Sequence, residues 1–353
     1  MASTIAAITT GTGGIVQTAD ASGNLSLLSG ATTVVAVTSA GVAVTGTLSA
    51  TGAVTLTGSL NTPNTFGFKN RIINGGMNTD QRNAAASQTF TAAAALAYSV
   101  DRWYGYCTGA NVTGQQIAGG TTPTVTQNRY RFTGAASVTA VGFGQRIEQK
   151  NSYDLAGSTC TLSADLGISA TLTAVTWTAY YATTTADTFG SLASPTVTSI
   201  ATGTFTVGAA VANFSANISI PAAATTGIQI LFTVGALTSG LTWTIGNVQL
   251  EKGSTATSFD FRAYPTELAL CQRYYEVSGG GGSQTLGIAA SSRIPAYFAV
   301  AKRAAPTVTY TFVAGSNTVT FDVSTTGGFR VNNSAGGSAA APCDFTWTAA
   351  IEL

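Results

Sequence analysis

The sequence contains no histidine, and only 8% of its 353 residues are charged, with a formal net charge of +1. The absence of histidine excludes Ser-His-Asp and Cys-His catalysis and removes the commonest metal ligand. A net charge so close to zero creates no basic field, so we expect no nucleic-acid partner. No apolar run is long enough for a membrane-spanning helix, so we also expect no membrane insertion.

Reactive groups are few and scattered. The four cysteines are widely spaced and none lies in a CxxC pair, which argues against a zinc site and favours free thiols, with two disulfides as the alternative. The 14 acidic residues form no local carboxylate pair of the kind that glycoside cleavage requires. No phosphate loop or dinucleotide fingerprint is present. The sequence therefore predicts a protein that is not an enzyme, with no catalytic residue, no metal and no cofactor.

Short Thr, Val and Ala runs between Gly, Asn and Pro predict an all-β protein. Regularly spaced candidate strands, among them Ala174–Tyr181 and Ile228–Val234, indicate a jelly-roll-like β-sandwich over residues 66–262. Pro265 suits a helix start, and residues 263–276 are predicted as one short helix, with helical residues from Thr266 to Glu276. Residues 277–353 are predicted to form a small C-terminal β domain, with a hairpin that joins residues 308–312 to residues 319–323.

The first 65 residues differ from the rest, because Asp20 is their only charged residue. From Ala40 to Leu60 the large apolar side chains alternate with hydroxyl side chains, which is the period of a strand with one dry face. One chain cannot offset the cost of ordering this segment by burying so few apolar groups, so a partner surface is required. We interpret residues 36–65 as a β-rich stem with a core of Val42, Val44, Leu48, Val54, Leu56 and Leu60. A flexible linker is the alternative.

Residues 1–35 share this composition without clear alternation, and we interpret them as a segment that anchors the chain to a larger particle. A disordered terminus is the alternative.

Five segments together resemble one family. They are Asn70–Met77 (NRIINGGM), Asp101–Trp103 (DRW), Gly144–Gln149 (GQRIEQ), Gly246–Glu276 and Lys302–Thr309 (KRAAPTVT). The set is similar to the carbohydrate-binding-module-like β-sandwich of bacteriophage fibre proteins, over roughly residues 66–310. The resemblance implies a homotrimer in the virion, made in the host cytoplasm. It also implies a phage tail or capsid protein as the partner of the N-terminus, and β domains that present a surface to host polysaccharide. The alternatives are a capsid decoration or head fibre with no specific receptor, and a tailspike-like glycan depolymerase.

Aromatic residues supply the candidate glycan site, because sugars stack their C–H faces on exposed rings. In a strand, Trp103 faces one way while Tyr104 and Tyr106 face the other. We predict Trp103 and Trp177 inside the protein, and Tyr104, Tyr106 and Tyr180 as glycan-binding residues. Burial of all of them in a core or a trimer interface is the alternative.

The remaining motif residues are predicted to be structural. Three carboxylates, Asp101, Glu148 and Glu251, lie in these motifs next to the basic residues Arg102, Arg146 and Lys252, and we interpret them as members of buried or half-buried ion pairs. Asn70–Met77 is interpreted as a tight turn that enters the sandwich. Arg273, Tyr274 and Tyr275 are predicted to pack the helix between the two β regions.

Overall fold

The computed structural model describes residues 25–29, 32–38, 41–44, 68–93, 95–119, 128–169, 171–278, 284–288, 293–315, 319–322, 324–333 and 341–353. The chain divides into two compact units, residues 1–61 and residues 62–353. Within the described ranges, no helix is both long and apolar enough to cross a membrane.

The first unit contains a three-stranded antiparallel sheet of β1 (Leu25–Ser29), β2 (Thr32–Thr38) and β3 (Gly41–Val44). Residue 35, the last residue of the predicted anchor, lies within strand β2. This sheet therefore contains residues of both the predicted anchor and the predicted stem. Val42 and Val44 lie in β3, where 65% and 39% of their surfaces are exposed. The other predicted stem residues, Leu48, Val54, Leu56 and Leu60, lie outside the described residues.

The second unit opens with a sandwich of two six-stranded antiparallel sheets, and the predicted all-β fold is confirmed. The first sheet has the order β13-β10-β15-β8-β7-β4, with β4 (Gln88–Phe90), β7 (Val112–Ala118), β8 (Asn128–Thr133), β10 (Thr159–Ile168), β13 (Ala212–Ser219) and β15 (Thr242–Lys252). The second has the order β12-β11-β14-β9-β6-β5, with β5 (Ala97–Tyr98), β6 (Tyr104–Thr108), β9 (Ala140–Ile147), β11 (Ala174–Ala182), β12 (Val197–Thr206) and β14 (Ile228–Val234).

Alternate residues of both sheets meet in one aromatic core. Phe143 lies between the stacked rings of Trp103 and Tyr130, with centroid distances of 4.8 and 4.9 Å. Phe132 stacks on Trp243 at 5.4 Å. Trp103 and Trp177 are both buried, as predicted. Aromatic pairs in such geometry add to the stability that burial alone provides.

The described residues contain two α-helices, one between β9 and β10 and one after β15. The short α1 (Gln149–Ser152) was not predicted, and a single 3-10 turn follows it. Helix α2 (Tyr264–Gln272) carries Pro265 in its first turn, as predicted, but it ends earlier than the predicted Glu276. The reason is that Tyr275 and Glu276 pair with a C-terminal strand instead.

The C-terminal part of the second unit contains two small sheets. In the first, β22 (Ala341–Ala350) pairs with β16 (Tyr275–Val277), β17 (Gln284–Ile288) and β19 (Thr307–Gly315). The second has the order β18-β21-β20, with β18 (Arg293–Tyr297), β20 (Val319–Asp322) and β21 (Gly328–Asn333). The predicted hairpin is wrong, because β19 pairs with β22 and β20 pairs with β21. Phe298, Phe329, Phe345 and Trp347 form the core between the sheets.

Candidate functional site

A cleft lies on the outer face of the second sandwich sheet, opposite the aromatic core. Its volume is about 180 Å³. Strands β6, β9, β11, β12 and β14 and the residues before β5 and β12 supply its lining: Leu96, Tyr104, Tyr106, Arg146, Tyr180, Phe189, Ser191, Leu192, Pro195, Val197, Gln229 and Leu231. The three predicted glycan-binding tyrosines therefore line a single cleft.

Glycines on a neighbouring strand give the tyrosine rings room to lie across the sheet. Tyr106 pairs with Gly142, and Tyr104 pairs with Gly144. A Cβ atom added to Gly142 would lie 2.2 Å from a ring carbon of Tyr106, and one added to Gly144 would lie 2.5 Å from the Tyr104 hydroxyl. Real Cβ atoms do not approach so closely, so any larger residue at these positions would push the rings out of place.

The three tyrosines differ in exposure, which corrects one prediction. Tyr104 is only 1% exposed, so it forms the floor of the cleft and does not offer an open ring face. The edge of Tyr98 contacts it at a centroid distance of 6.1 Å, and the Arg146 guanidinium lies 5.4 Å from its centre. Tyr106 and Tyr180 are half-buried and remain accessible.

A polar row crosses the cleft beside the rings. Register places Tyr180 opposite Gln229, and Gln229 opposite Arg146. Arg146 Nε donates to Gln229 Oε1 at 3.0 Å, while its two terminal nitrogens donate to the backbone oxygens of Leu353 and Gly190 at 2.7 and 2.8 Å. The guanidinium is therefore fixed in place and is less free to reorient than an exposed arginine.

The lining of this cleft combines aromatic rings with hydrogen-bonding groups. Burial raises the pKa of Tyr104 and of Tyr106, so both phenols stay protonated at neutral pH and both donate and accept hydrogen bonds. None of the described lining side chains is a carboxylate. Aromatic faces combined with fixed donors and acceptors suit a ligand that has an apolar face and a rim of hydroxyl groups.

The carboxylates considered for catalysis lie in separate networks. Asp101 is buried and accepts hydrogen bonds from the side-chain and backbone nitrogens of Gln81 at 2.6 and 3.3 Å. Burial raises the pKa of Asp101 to about 7, although the Gln81 hydrogen bond and the charge of Arg82 oppose this shift. Glu148 binds Arg273 and Arg303, each at 3.0 Å. No cluster of three metal-ligating side chains occurs in the part of the chain that the structure describes.

Two of the three motif carboxylates form ion pairs, as predicted, but with distant residues: Glu148 binds Arg273 and Arg303, and Glu251 lies 3.9 Å from Lys69. Arg102 contacts Glu352 and not Asp101, and Arg146 makes the cleft contacts given above and none to Glu148. Lys252 donates to the backbone oxygen of Asp154 at 2.8 Å.

The motif residues that carry the family resemblance meet at one buried junction. Gln145 bonds the backbone nitrogen and oxygen of Ile73 at 2.8 and 2.7 Å. Asn70 Nδ2 donates to the oxygen of Val248 at 3.0 Å, and its Oδ1 accepts from Ile72 and Leu250. Residues 70–77 thus form the predicted turn.

The same junction receives the helix region. Arg102 lies 3.5 Å from the ring centre of buried Tyr274, and Arg82 lies 3.6 Å from that of Tyr275. This contact agrees with the predicted structural role of these tyrosines. Sequence reasoning missed Arg146 and Gln229 as cleft residues, although Arg146 shares its strand parity with Gly142 and Gly144.

Comparisons with known proteins show only distant similarity. No family model and no curated protein sequence matches the chain. Among solved structures, the enzymatically active domain of tailspike protein 4 from bacteriophage CBA120 is 15% identical, with a TM-score of 0.33, and the match covers 52% of this chain and 22% of that chain. This chain thus spans less than a quarter of that tailspike structure.

Carbohydrate-binding modules are also among the similar structures. The C-terminal family 22 module of Clostridium thermocellum Xyn10B is 12% identical with a TM-score of 0.31, and the match covers 45% of this chain and 91% of the module. A CBM4 structure is 14% identical with a TM-score of 0.28, covering 51% of this chain and 98% of that one. TM-scores this low support no inference about ligand or assembly.

Proposed function

We propose that the sandwich binds a surface glycan of a host cell in the cleft formed by Tyr104, Tyr106 and Tyr180. The observation that carries this proposal is the convergence of three tyrosines with the fixed polar groups of Arg146 and Gln229 in one cleft. A sugar ring stacks its C–H face on the accessible rings of Tyr106 and Tyr180, while its hydroxyls bond the polar row. The buried Tyr104 supports this surface from below.

The size of the cleft limits what it holds. Pockets for drug-sized ligands usually measure roughly 300–1,000 Å³, and this cleft measures about 180 Å³. We therefore expect one sugar unit, at the end of a glycan or as a side branch, to occupy it.

The proposed setting is a homotrimeric fibre subunit of a phage virion, attached to a tail or capsid protein by its N-terminus. The resemblance of the motif set supports the fibre class. Two valines of the predicted stem, Val42 and Val44, are exposed in the single chain, which supports a need for partner chains. Three copies that share one stem would present three clefts and gain avidity for a host surface.

The cleft is tested with a glycan array probed by the purified full-length chain. Tyr106→Ala and Tyr180→Ala each remove one stacking surface, so each is expected to weaken binding about three- to tenfold. Tyr153→Ala removes an exposed tyrosine outside the cleft and is the matched control, for which we expect wild-type affinity. Equal binding by all variants would place the ligand elsewhere.

Two other results would favour different functions. Shortened polymer after incubation with the wild-type chain would indicate a depolymerase. Absence of binding to every host polysaccharide would favour a decoration role without a receptor.

The stem is tested by sedimentation of a Val42→Asp, Val44→Asp double variant. Full burial of one valine side chain stabilises the folded state by roughly 1.5–3 kcal/mol. A trimer would bury two valines from each of its three chains. We expect the wild-type chain to sediment as a trimer and the double variant as a single copy. Ala43→Asp adds a charge on the opposite parity and is expected to leave the trimer intact. A wild-type chain that sediments as a monomer would refute the trimeric stem.

A further inference from the structure

The smaller sheet in the C-terminal part of the second unit has one buried and one open face. Ile294, Ala296, Phe321, Phe329 and Val331 point into the domain core. By strand alternation, the opposite face carries the residues between them: Arg293, Pro295, Tyr297, Thr320, Asp322, Gly328, Arg330 and Asn332. We call this the β18–β21–β20 face.

Register arranges this face into rows. Arg293 pairs with Asn332, and Asn332 with Thr320. Pro295 pairs with Arg330, and Arg330 with Asp322. Paired residues on one face lie about 4.5–5.5 Å apart, and successive rows are about 7 Å apart along the strands. The polar groups therefore form a two-row array next to Tyr297.

Tyr297 is 76% exposed, which is unusual for a large aromatic side chain. It pairs with Gly328 and lines a groove of about 280 Å³ together with Pro295, Thr325, Gly327 and Arg330. A Cβ atom at Gly328 would lie 2.3 Å from the backbone oxygen of Ala296, so only glycine fits in the groove floor. The groove is thus open on one side to a ring-shaped group stacked on Tyr297.

The positive and negative charges on the face are unequal in number. Arg330 binds Asp322 through two contacts, Nε to Oδ1 at 2.9 Å and Nη2 to Oδ2 at 3.3 Å. Hydrogen bonds from Asn332 and from Arg330 lower the pKa of Asp322, so its carboxylate is ionised at neutral pH. Arg293 lies in the adjacent row, so the face has two guanidinium groups and one carboxylate. The excess charge is positive.

We infer that the β18–β21–β20 face is a second carbohydrate site, which binds an acidic polysaccharide built from carboxylated sugars. Tyr297 stacks on a sugar ring, and the guanidinium groups of Arg293 and Arg330 bond its carboxylate and hydroxyls. This site shares no lining residue with the tyrosine cleft, which lies on the sandwich. A chain with two sites for one polymer gains affinity through effective concentration.

The test is affinity electrophoresis of the full-length chain in gels that contain alginate, polygalacturonate or hyaluronate, with dextran as the neutral polymer. We expect retardation by at least one acidic polymer, and we expect salt to weaken it. Tyr297→Ala and Arg293→Gln are each expected to weaken the apparent affinity about three- to tenfold. Tyr153→Ala, a comparably exposed tyrosine, is the control and should migrate as wild type.

Several results would overturn this assignment. They are the absence of retardation by all three acidic polymers, equal retardation by dextran, and wild-type affinity of both Tyr297→Ala and Arg293→Gln. A Tyr106→Ala variant separates the two sites, because a loss confined to that variant would assign the acidic polymer to the cleft. A change in sedimentation of Tyr297→Ala would instead make this face a contact between copies.

Discussion

Gly75→Ala adds a single methyl group and is expected to destabilise the second unit by about 3 kcal/mol or more. Gly75 lies in the Asn70–Met77 turn, and its oxygen accepts a hydrogen bond from the Val248 nitrogen at 3.0 Å. A Cβ atom at Gly75 would lie 2.1 Å from the Val248 oxygen and 3.2 Å from Asn70 Nδ2. Both neighbours are held by hydrogen bonds, so neither can move without breaking the junction. Urea denaturation followed by tryptophan fluorescence measures the loss.

Gly235→Ala is the matched control for this substitution. A Cβ atom there meets nothing within 4 Å, and the same methyl group is added to the same domain. We expect its stability to stay within about 1 kcal/mol of wild type, since Gly-to-Ala changes at compatible sites have effects of this size. Similar midpoints for Gly75→Ala and Gly235→Ala would contradict the close approach at the junction.

This experiment also bears on the meaning of the motif residues. Asn70, Gln145 and Gly75 face buried backbone atoms and not a cleft. Their role in the described structure is to connect the entry turn, a central strand of each sheet and the helix region. A sequence pattern of this kind therefore reports how the domain is assembled and gives no information about the ligand.

Strand positions were the part of the fold that periodicity predicted well. The predicted strand from Ile228 to Val234 matches the observed β14, and the predicted strand from Ala174 to Tyr181 is one residue shorter than β11. Both strands alternate clearly between large apolar and other side chains. Period-two alternation determines which residues can share a face, so it also grouped Tyr104 with Tyr106 correctly.

Exposure could not be predicted from alternation, because it depends on what covers a face. Tyr104 lies on the outer face of its sheet, as its parity indicates, and yet it is buried by Tyr98 and Arg146. Tyr98 comes from a two-residue edge strand that is too short to show any period. Such nonlocal coverage leaves no mark in the sequence around Tyr104.

Pairing between distant segments was the other limit. The predicted hairpin assumed that β19 and β20 pair because they are neighbours in sequence, but β22 pairs with β19 across the domain. Ion pairs also join distant segments, since Arg102 contacts Glu352, which lies 250 residues further along the chain. Alternation specifies the faces of a strand and not the identity of its neighbour.

Glu352→Ala is expected to lower the free energy of unfolding by about 3–5 kcal/mol, which is the usual cost of removing one partner of a buried ion pair. The Glu352 carboxylate contacts Arg102 and, at 2.8 Å, Arg82. Arg102 is fully buried, and its guanidinium also contacts the Arg146 backbone oxygen and the Tyr274 ring. Glu352→Ala would leave that guanidinium inside the protein without its carboxylate. Urea denaturation at neutral pH measures the loss.

Two further variants separate charge from shape. Glu352→Gln keeps the size and one acceptor oxygen but removes the charge. We therefore expect it to lower the free energy of unfolding by less than Glu352→Ala does. Asp154→Ala is the control, because Asp154 binds Arg71 at 2.7 Å in a half-exposed pair. Exposed pairs contribute about 0–1 kcal/mol, so this variant should unfold almost as the wild type does.

A double-mutant cycle with Arg102→Met decides whether the two groups act as a unit. If the buried guanidinium causes the loss, Glu352→Ala should cost much less once Arg102 is methionine, and the two losses should differ from additivity by at least about 1 kcal/mol. Additive losses would mean that Glu352 stabilises the chain through contacts other than the one with Arg102, such as its ion pair with Arg82. Because Glu352 lies beyond the last strand while Arg102 and Arg82 belong to the sandwich, strong coupling would show that the C-terminal residues and the sandwich unfold as one cooperative unit.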